Sequence, residues 1–240
     1  MTFTKYQFNN YCYWPSNPKK IIEFIGGSYL ASKPDLTYKR FIKSLIDKNY
    51  AVHAYKYTPQ FDHQELAIRA WKDFKSCQRS LSKRIGTSIP SIRIGHSLGC
   101  KLHLISPDGG RNCEKFISIS FNNFSANKSI PFLKKISQKL EFTSEFSPSP
   151  ERTFGIIKKT YYQKNNFLIK FNSDELDQTD KLLFCLRARK EDNSKGIKLK
   201  GTHTIIASAG LRENFLGDWA DDDFKRNTIK QISNLIDKSI

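Results

Sequence analysis

Residues 92–104, IRIGHSLGCKLHL, decide how the rest of the chain is read. The stretch starts as an apolar run, passes through Gly95-His96-Ser97-Leu98-Gly99 and continues in residues that suit a helix. A serine between two glycines is ordinary in a loop. On a sharp strand-to-helix turn it is not, because that turn lifts the hydroxyl clear of the backbone while glycines let other segments approach. A strand over 92–95 and a helix from 98 to about 106 supply this setting, so Ser97 is read as a nucleophile. His96 then points away from its neighbouring serine and is read as a packing or loop-orienting residue. Cys100, one turn into the helix, is read as buried.

Working outward, strands and helices alternate. Residues 21–25, IIEFI, form an apolar strand that runs into Gly26 and Gly27. Tyr38, Phe41, Ile42, Leu45 and Ile46 recur at helical spacing within 36–48, and YAVHAYKY at 50–57 is a strand. Asp62 and Glu65 fit a reciprocal cap that opens a long amphipathic helix. A strand follows at 115–121. Between 122 and 166 the alternation breaks: SIPFLKKISQKL is a basic amphipathic helix with Ile130, Leu133, Ile136 and Leu140 along one face, FSPSPERT a hinge, and FGIIKKTYY helical again. This stretch is expected to be a cap inserted after a strand. The alternation then resumes with the strand NFLIKF, a helix near 178–186, the strand GIKLK at 196–200 and a last helix from about Asp223. Such alternation predicts a single α/β domain over 1–240, its mostly parallel central sheet covered by helices on both faces and bearing a small helical cap.

A serine hydroxyl near neutral pH needs a base, an acid to orient the base, and donors for the oxyanion formed on attack. In a strand–turn–helix arrangement of this kind these follow in the order serine, acid, histidine. His53 and His63 precede Ser97, and His96 and His103 adjoin it on its own elements. His203, in GTHT after the last strand, is the base. The acid belongs in NSDELDQTD after NFLIKF, where Asp174 stands first and Asp177 second; Glu175 and Asp180 complete the turn, and Asp177 or Asp180 could instead cap the next helix. The oxyanion donors are the amide of Leu98 and that of Gly27 or Ser28. The aspartates at 221–223 are read as dipole complements at a helix start, since no His or Cys spacing accompanies them. No metal or organic cofactor is expected.

Composition sets outer limits. Hydrophobic residues make up 38% and aromatics 13%, enough for a packed core. The net charge of +17 is spread along the chain with no basic arm and no nucleic-acid motif, so nucleic acid is not an expected partner. Five cysteines, an odd number without a CxxC pair, form no complete disulfide framework and fit a reducing compartment. The first residues lack the apolar core of a secretion signal, and no segment approaches eighteen apolar residues. A soluble cytoplasmic protein is expected.

GHSLG, the early FIGG, the acidic turn after NFLIKF and the late GTH resemble, in order, the elements of the α/β-hydrolase superfamily. More closely, YWPSNPKKIIEFIGGSYLASKPDLTYKRFI, FDHQELA, FNNFSA, EFSPSPERT and DELDQTD are similar to the domain-of-unknown-function family thirteen-fifty of cyanobacteria and plastids. The resemblance implies the α/β-hydrolase fold, a serine-hydrolase site and a cyanobacterial cytosol, but no substrate. The turn FNSDELD lacks the glycine that commonly precedes the superfamily's acid, which leaves Asp174 and Asp177 both open. The expected activity is cleavage of a carboxylic ester or thioester of a small, acyl-containing substrate by Ser97, His203 and Asp174. The alternatives are an acyltransferase, or a non-catalytic module whose Lys134, Lys135 and Lys139 meet an anionic membrane surface or an acidic protein.

Overall fold

A strand covered on both faces is buried along its whole length, and the sequence supplies three short, largely apolar runs that fit. All residues of β3 (Ile21–Ile25), β4 (Ala51–Tyr55) and β5 (Ser91–His96) are buried in the computed structural model, which describes residues 2–126, 145–207 and 223–240. With β1 (Thr2–Gln7), β2 (Asn10–Pro15), β6 (Lys115–Ile119), β7 (Asn166–Phe171) and β8 (Lys195–Leu199) they form one eight-stranded sheet in the order β1-β2-β4-β3-β5-β6-β7-β8. Strand β2 runs against both neighbours, and every pair from β4 to β8 is parallel. The chain visits β4 on one side of β3 and then returns to β5 on the other. Strand order reverses there, and the carboxyl ends of β3 and β5 open a crevice.

The two sheet faces bury different helices. On one, Ile22, Phe24, Ile92, Ile94 and Ile117 pack with Phe41, Ile42 and Leu45 of α2 (Lys39–Ile46) and Ile229, Ile232 and Ile236 of α7 (Asp223–Ser239). On the other, Ile25 and Tyr55 meet Leu66, Ala70 and Phe74 of α3 (His63–Ile85) and Leu102 of α4 (Leu98–Leu104). Phe116 and Leu168 on that face are covered by Ile157 and Tyr161 near α5 (Pro150–Thr160) and by Leu182 and Leu186 of α6 (Thr179–Arg187).

Four local departures have physical causes. The hairpin β1–β2 was not expected: β1 is almost wholly exposed, so it has no burial pattern to read. The helix expected at 36–48 is two, α1 (Pro34–Thr37) and α2, broken at Tyr38, which is turned into the core. Asp62 Oδ1 accepts the Glu65 amide at 2.8 Å, but the Glu65 carboxylate turns to Arg69, so only half of the reciprocal cap forms. Finally, α5 starts inside the expected hinge, with Pro150 in its first turn and Ser149 Oγ accepting the Arg152 amide at 3.3 Å. α5 packs through Ile157 on Phe116 and Leu168 of the sheet. Residues 127–144 of the expected cap, with Ile130, Leu133, Lys134, Lys135, Ile136, Lys139 and Leu140, lie outside the described residues, as do Asp221 and Asp222.

Candidate active site

The turn between β5 and α4 forces Ser97 to φ 55° and ψ −122°, outside the ordinary regions for an L-residue and worth about 1–3 kcal/mol of strain. What holds it there is close packing. A side chain at Gly99 would stand 2.0 Å from the Ile25 carbonyl oxygen, so α4 can lie this near the end of β3 only with glycine at that position. The loop after β3 also comes near: a Cβ on Gly27 would sit 3.0 Å from Ser97 Cβ and 3.4 Å from its Oγ. The Ser97 amide donates to the Ile119 carbonyl at 3.0 Å, and its hydroxyl oxygen accepts a hydrogen bond from Asn122 Nδ2 at 2.9 Å.

Across the crevice, the loops after β7 and β8 bring His203 and Asp174 together. His203 Nδ1 is 2.8 and 3.0 Å from the two carboxylate oxygens, and the Asp174 side chain is fully shielded from solvent. Burial opposes the Asp174 charge. The bond and charge of His203, with Ser120 and the Leu176 amide, outweigh it and hold the carboxyl below its ordinary range. Asp177 does something else: it accepts the Thr179 amide and hydroxyl, both at 2.8 Å, at the start of α6, and burial raises its pKa. Of the two aspartates, then, Asp174 meets the histidine and Asp177 serves the helix.

His96 links the two halves. Burial, aided by the nearby His203, pushes its pKa down to about 3, so the ring is neutral. A carbonyl can only accept, so Nε2–H donates to the His203 backbone oxygen at 2.8 Å; Nδ1 must then accept the Tyr38 hydroxyl proton at 2.8 Å. The Tyr38 oxygen in turn accepts the Gly27 amide at 2.8 Å. This chain commits the Gly27 N–H to Tyr38. The amides of Ser28 and Leu98 have no hydrogen-bond partner among the described residues, and both residues line a cleft of about 230 Å³ beside Ser97, with Asn122, Lys101, Phe61 and Phe146.

The rings of His96 and His203 lie 5.1 Å apart, so His203 stands close to the serine turn. Among the described residues no hydrogen bond joins the Ser97 hydroxyl to the His203 ring; Asn122 holds it instead. Asn122, Tyr38 and Lys101 were not singled out as site residues from sequence. Asn122 had a readable signal, directly following the strand beside the one that leads into Ser97. Tyr38 and Lys101 had none, one at a core helix position and one among many lysines. Cys100 is buried, as expected, and all five cysteines are free. Among the described residues no group of three or more His, Cys, Asp or Glu side chains could hold a metal ion, and no helix is long and apolar enough to cross a membrane.

Solved structures share this architecture across nearly the whole chain. Carboxyl esterase 2 of the fungus Tuber melanosporum is 14% identical with a TM-score of 0.66, over 100% of this chain and 86% of that one. The monoacylglycerol lipase of Paleococcus ferrophilus is 11% identical with a TM-score of 0.61, over 100% of both chains. Alpha/beta hydrolase domain-containing protein 10 from mouse is 14% identical with a TM-score of 0.58, over 99% of both. At these identities the likeness establishes the α/β-hydrolase fold alone. No curated protein matches the sequence. A family profile does, over residues 6–231, and the chain accordingly belongs to the family described as "Protein of unknown function (DUF1350)".

Proposed function

We propose that the protein is a serine hydrolase that cleaves a carboxylic ester or thioester with Ser97 as nucleophile, His203 as base and Asp174 as the acid that orients it. His203 Nε2 takes the Ser97 proton as Oγ bonds to the carbonyl carbon. The carbonyl oxygen gains the charge and is held by the amides of Leu98 and Ser28. Collapse expels the alcohol or thiol, which takes its proton from His203, and water then releases the acid by the same steps. Asp174 keeps Nδ1 protonated and stabilises the imidazolium. The Asn122 amide, which now donates to Oγ, must yield that place or turn with the hydroxyl when His203 engages it. No step calls for a metal or organic cofactor.

The observation that carries this reading is the buried Asp174 carboxylate bonded to His203 beside a serine strained on its turn. A structural serine needs neither partner. The printed names of the fold relatives, a carboxyl esterase and a monoacylglycerol lipase, support an ester as the substrate class. The test is turnover of p-nitrophenyl esters and acyl thioesters of graded length by the protein and its Ser97→Ala variant. Turnover is expected in the parent and a fall of at least about 10⁴-fold in kcat/KM in the variant. Equal turnover by both would overturn the assignment.

A further inference from the structure

Beside the nucleophile, the cleft buries a cation that it does not neutralise. Lys101 stands on the first turn of α4, the helix that Ser97 precedes at a non-helical φ and ψ. The residue is only 1% exposed yet lines the cleft. One of its three N–H bonds goes to the Pro148 carbonyl at 2.8 Å. Glu145 and Glu151 favour its charge only from a distance: Glu145 Oε1 accepts the amides of Ala126 and Phe146, and Glu151 faces Ser149. Among the described residues Lys101 Nζ has no carboxylate in ion-pair contact; besides the Pro148 carbonyl it faces the Phe146 ring, 5.8 Å from the centroid. Burial accordingly lowers its pKa to about 8, which still leaves it charged at neutral pH.

A second buried group lies on the same wall. His63 is 3% exposed, stacks on Phe146 at 4.3 Å between ring centroids, and its Nδ1 has no hydrogen-bond partner among the described residues. Leaving an ammonium and an imidazole nitrogen unsatisfied in such surroundings is costly unless something else completes them. Asn123 Oδ1, also unpartnered there, is an acceptor and takes no part in holding an anion. The apolar walls, Phe61, Phe146 and Leu98, suit a short carbon chain.

We propose that this cleft is a subsite for esters whose acyl chain ends in a carboxylate, the chain lying along the aromatic wall and the carboxylate taken by Lys101 Nζ and by His63 in its Nδ1–H tautomer. The reacting carbonyl, held by the Leu98 and Ser28 amides, and the carboxylate, held by Lys101 and His63, then share one cleft. The net charge of +17 favours the approach of such a substrate. The subsite rests on the reading of Ser97 as the nucleophile for its catalytic meaning, although its binding can be measured without turnover.

The test is isothermal titration of the Ser97→Ala variant with monomethyl adipate and with methyl hexanoate, which match in length and differ in the terminal carboxylate. Monomethyl adipate is expected to bind at least about tenfold more tightly. The added substitution Lys101→Met is expected to abolish that preference. Equal affinity for the two esters, or binding of neither, overturns the subsite, and this comparison stands even if the Lys101 variant does not fold. Labelling of the unaltered protein by a fluorophosphonate reads Ser97 separately. Labelling without the carboxylate preference refutes the subsite alone; the preference without labelling refutes the nucleophile and keeps the subsite.

Discussion

Two buried polar clusters share β5 and its flanking elements, and they are built in opposite ways. In the middle of the strand, Arg93 bonds Glu23 at 3.0 Å, Ser106 at 3.0 Å and both carboxylate oxygens of Asp108 at 2.8 Å. Gln78 closes the far side of Glu23 at 2.6 Å, and the Gly110 and Asn112 amides close Asp108. Every charge there is spent on another. At the carboxyl end of the same strand, Ser97 carries strain, the Ser28 and Leu98 amides border the cleft, and Lys101 has two N–H groups without an acceptor among the described residues. The closed cluster ties β3 and β5 to the loop after α4. The open one is what a ligand would complete.

The difference can be broken most severely at the open cluster. Asp174→Asn is expected to lower kcat/KM on a responsive ester by about 10³–10⁴-fold, because His203 loses the partner that fixes its tautomer, while thermal stability changes little. A large fall in stability with activity retained in the folded fraction would move Asp174 to the structural class. Next comes the closed cluster. Arg93→Met strands Glu23 and Asp108 as buried carboxylates and is expected to cost about 3–5 kcal/mol in urea unfolding, with esterase activity per folded molecule unchanged.

The closed cluster also has a pH signature. Burial works against the Asp108 charge, but its bonds to Arg93 outweigh this and hold the carboxyl well below its ordinary range. A depressed folded-state pKa gives stability that is present above the ordinary carboxylate range and lost as pH falls through the lowered value. Glu23 runs the other way, raised by burial. Arg93→Met should therefore flatten the acid limb that Asp108 contributes. The smallest effect belongs to Asp177, whose role is to start α6. Asp177→Ala is expected to lower stability by about 1 kcal/mol and leave turnover intact, and a loss of turnover matching that of Asp174→Asn would make the acid assignment wrong.

Much of the architecture was legible because burial leaves a pattern in sequence. β3 is bounded by the residues that the apolar run marks, and α4 follows β5 through the glycines that the turn requires. The hairpin at the start was not legible, since β1 faces solvent and its turn places Phe8 and Asn9 at positive φ without the Asn-Gly pair that usually announces such a turn. Within the site, chain order pointed to Ser97 and His203. The choice between Asp174 and Asp177 was not settled by order, because both follow the same strand three residues apart and either can cap a helix. Only the three-dimensional course of the turn separates them. The amides after β3 are similar: Gly27 and Ser28 are adjacent, and nothing in the sequence says that Tyr38 breaks its helix to occupy the Gly27 amide. Lys101 illustrates the limit most clearly, since one buried lysine among so many dispersed ones has no local mark.

The central claim is that Ser97 is an activated nucleophile. Its most direct test is peptide mapping by mass spectrometry after reaction of the unaltered protein with a fluorophosphonate. The account predicts one covalent adduct, carried by the peptide containing Ser97. An unmodified Ser97, whether the protein fails to react or reacts at another residue, would contradict it.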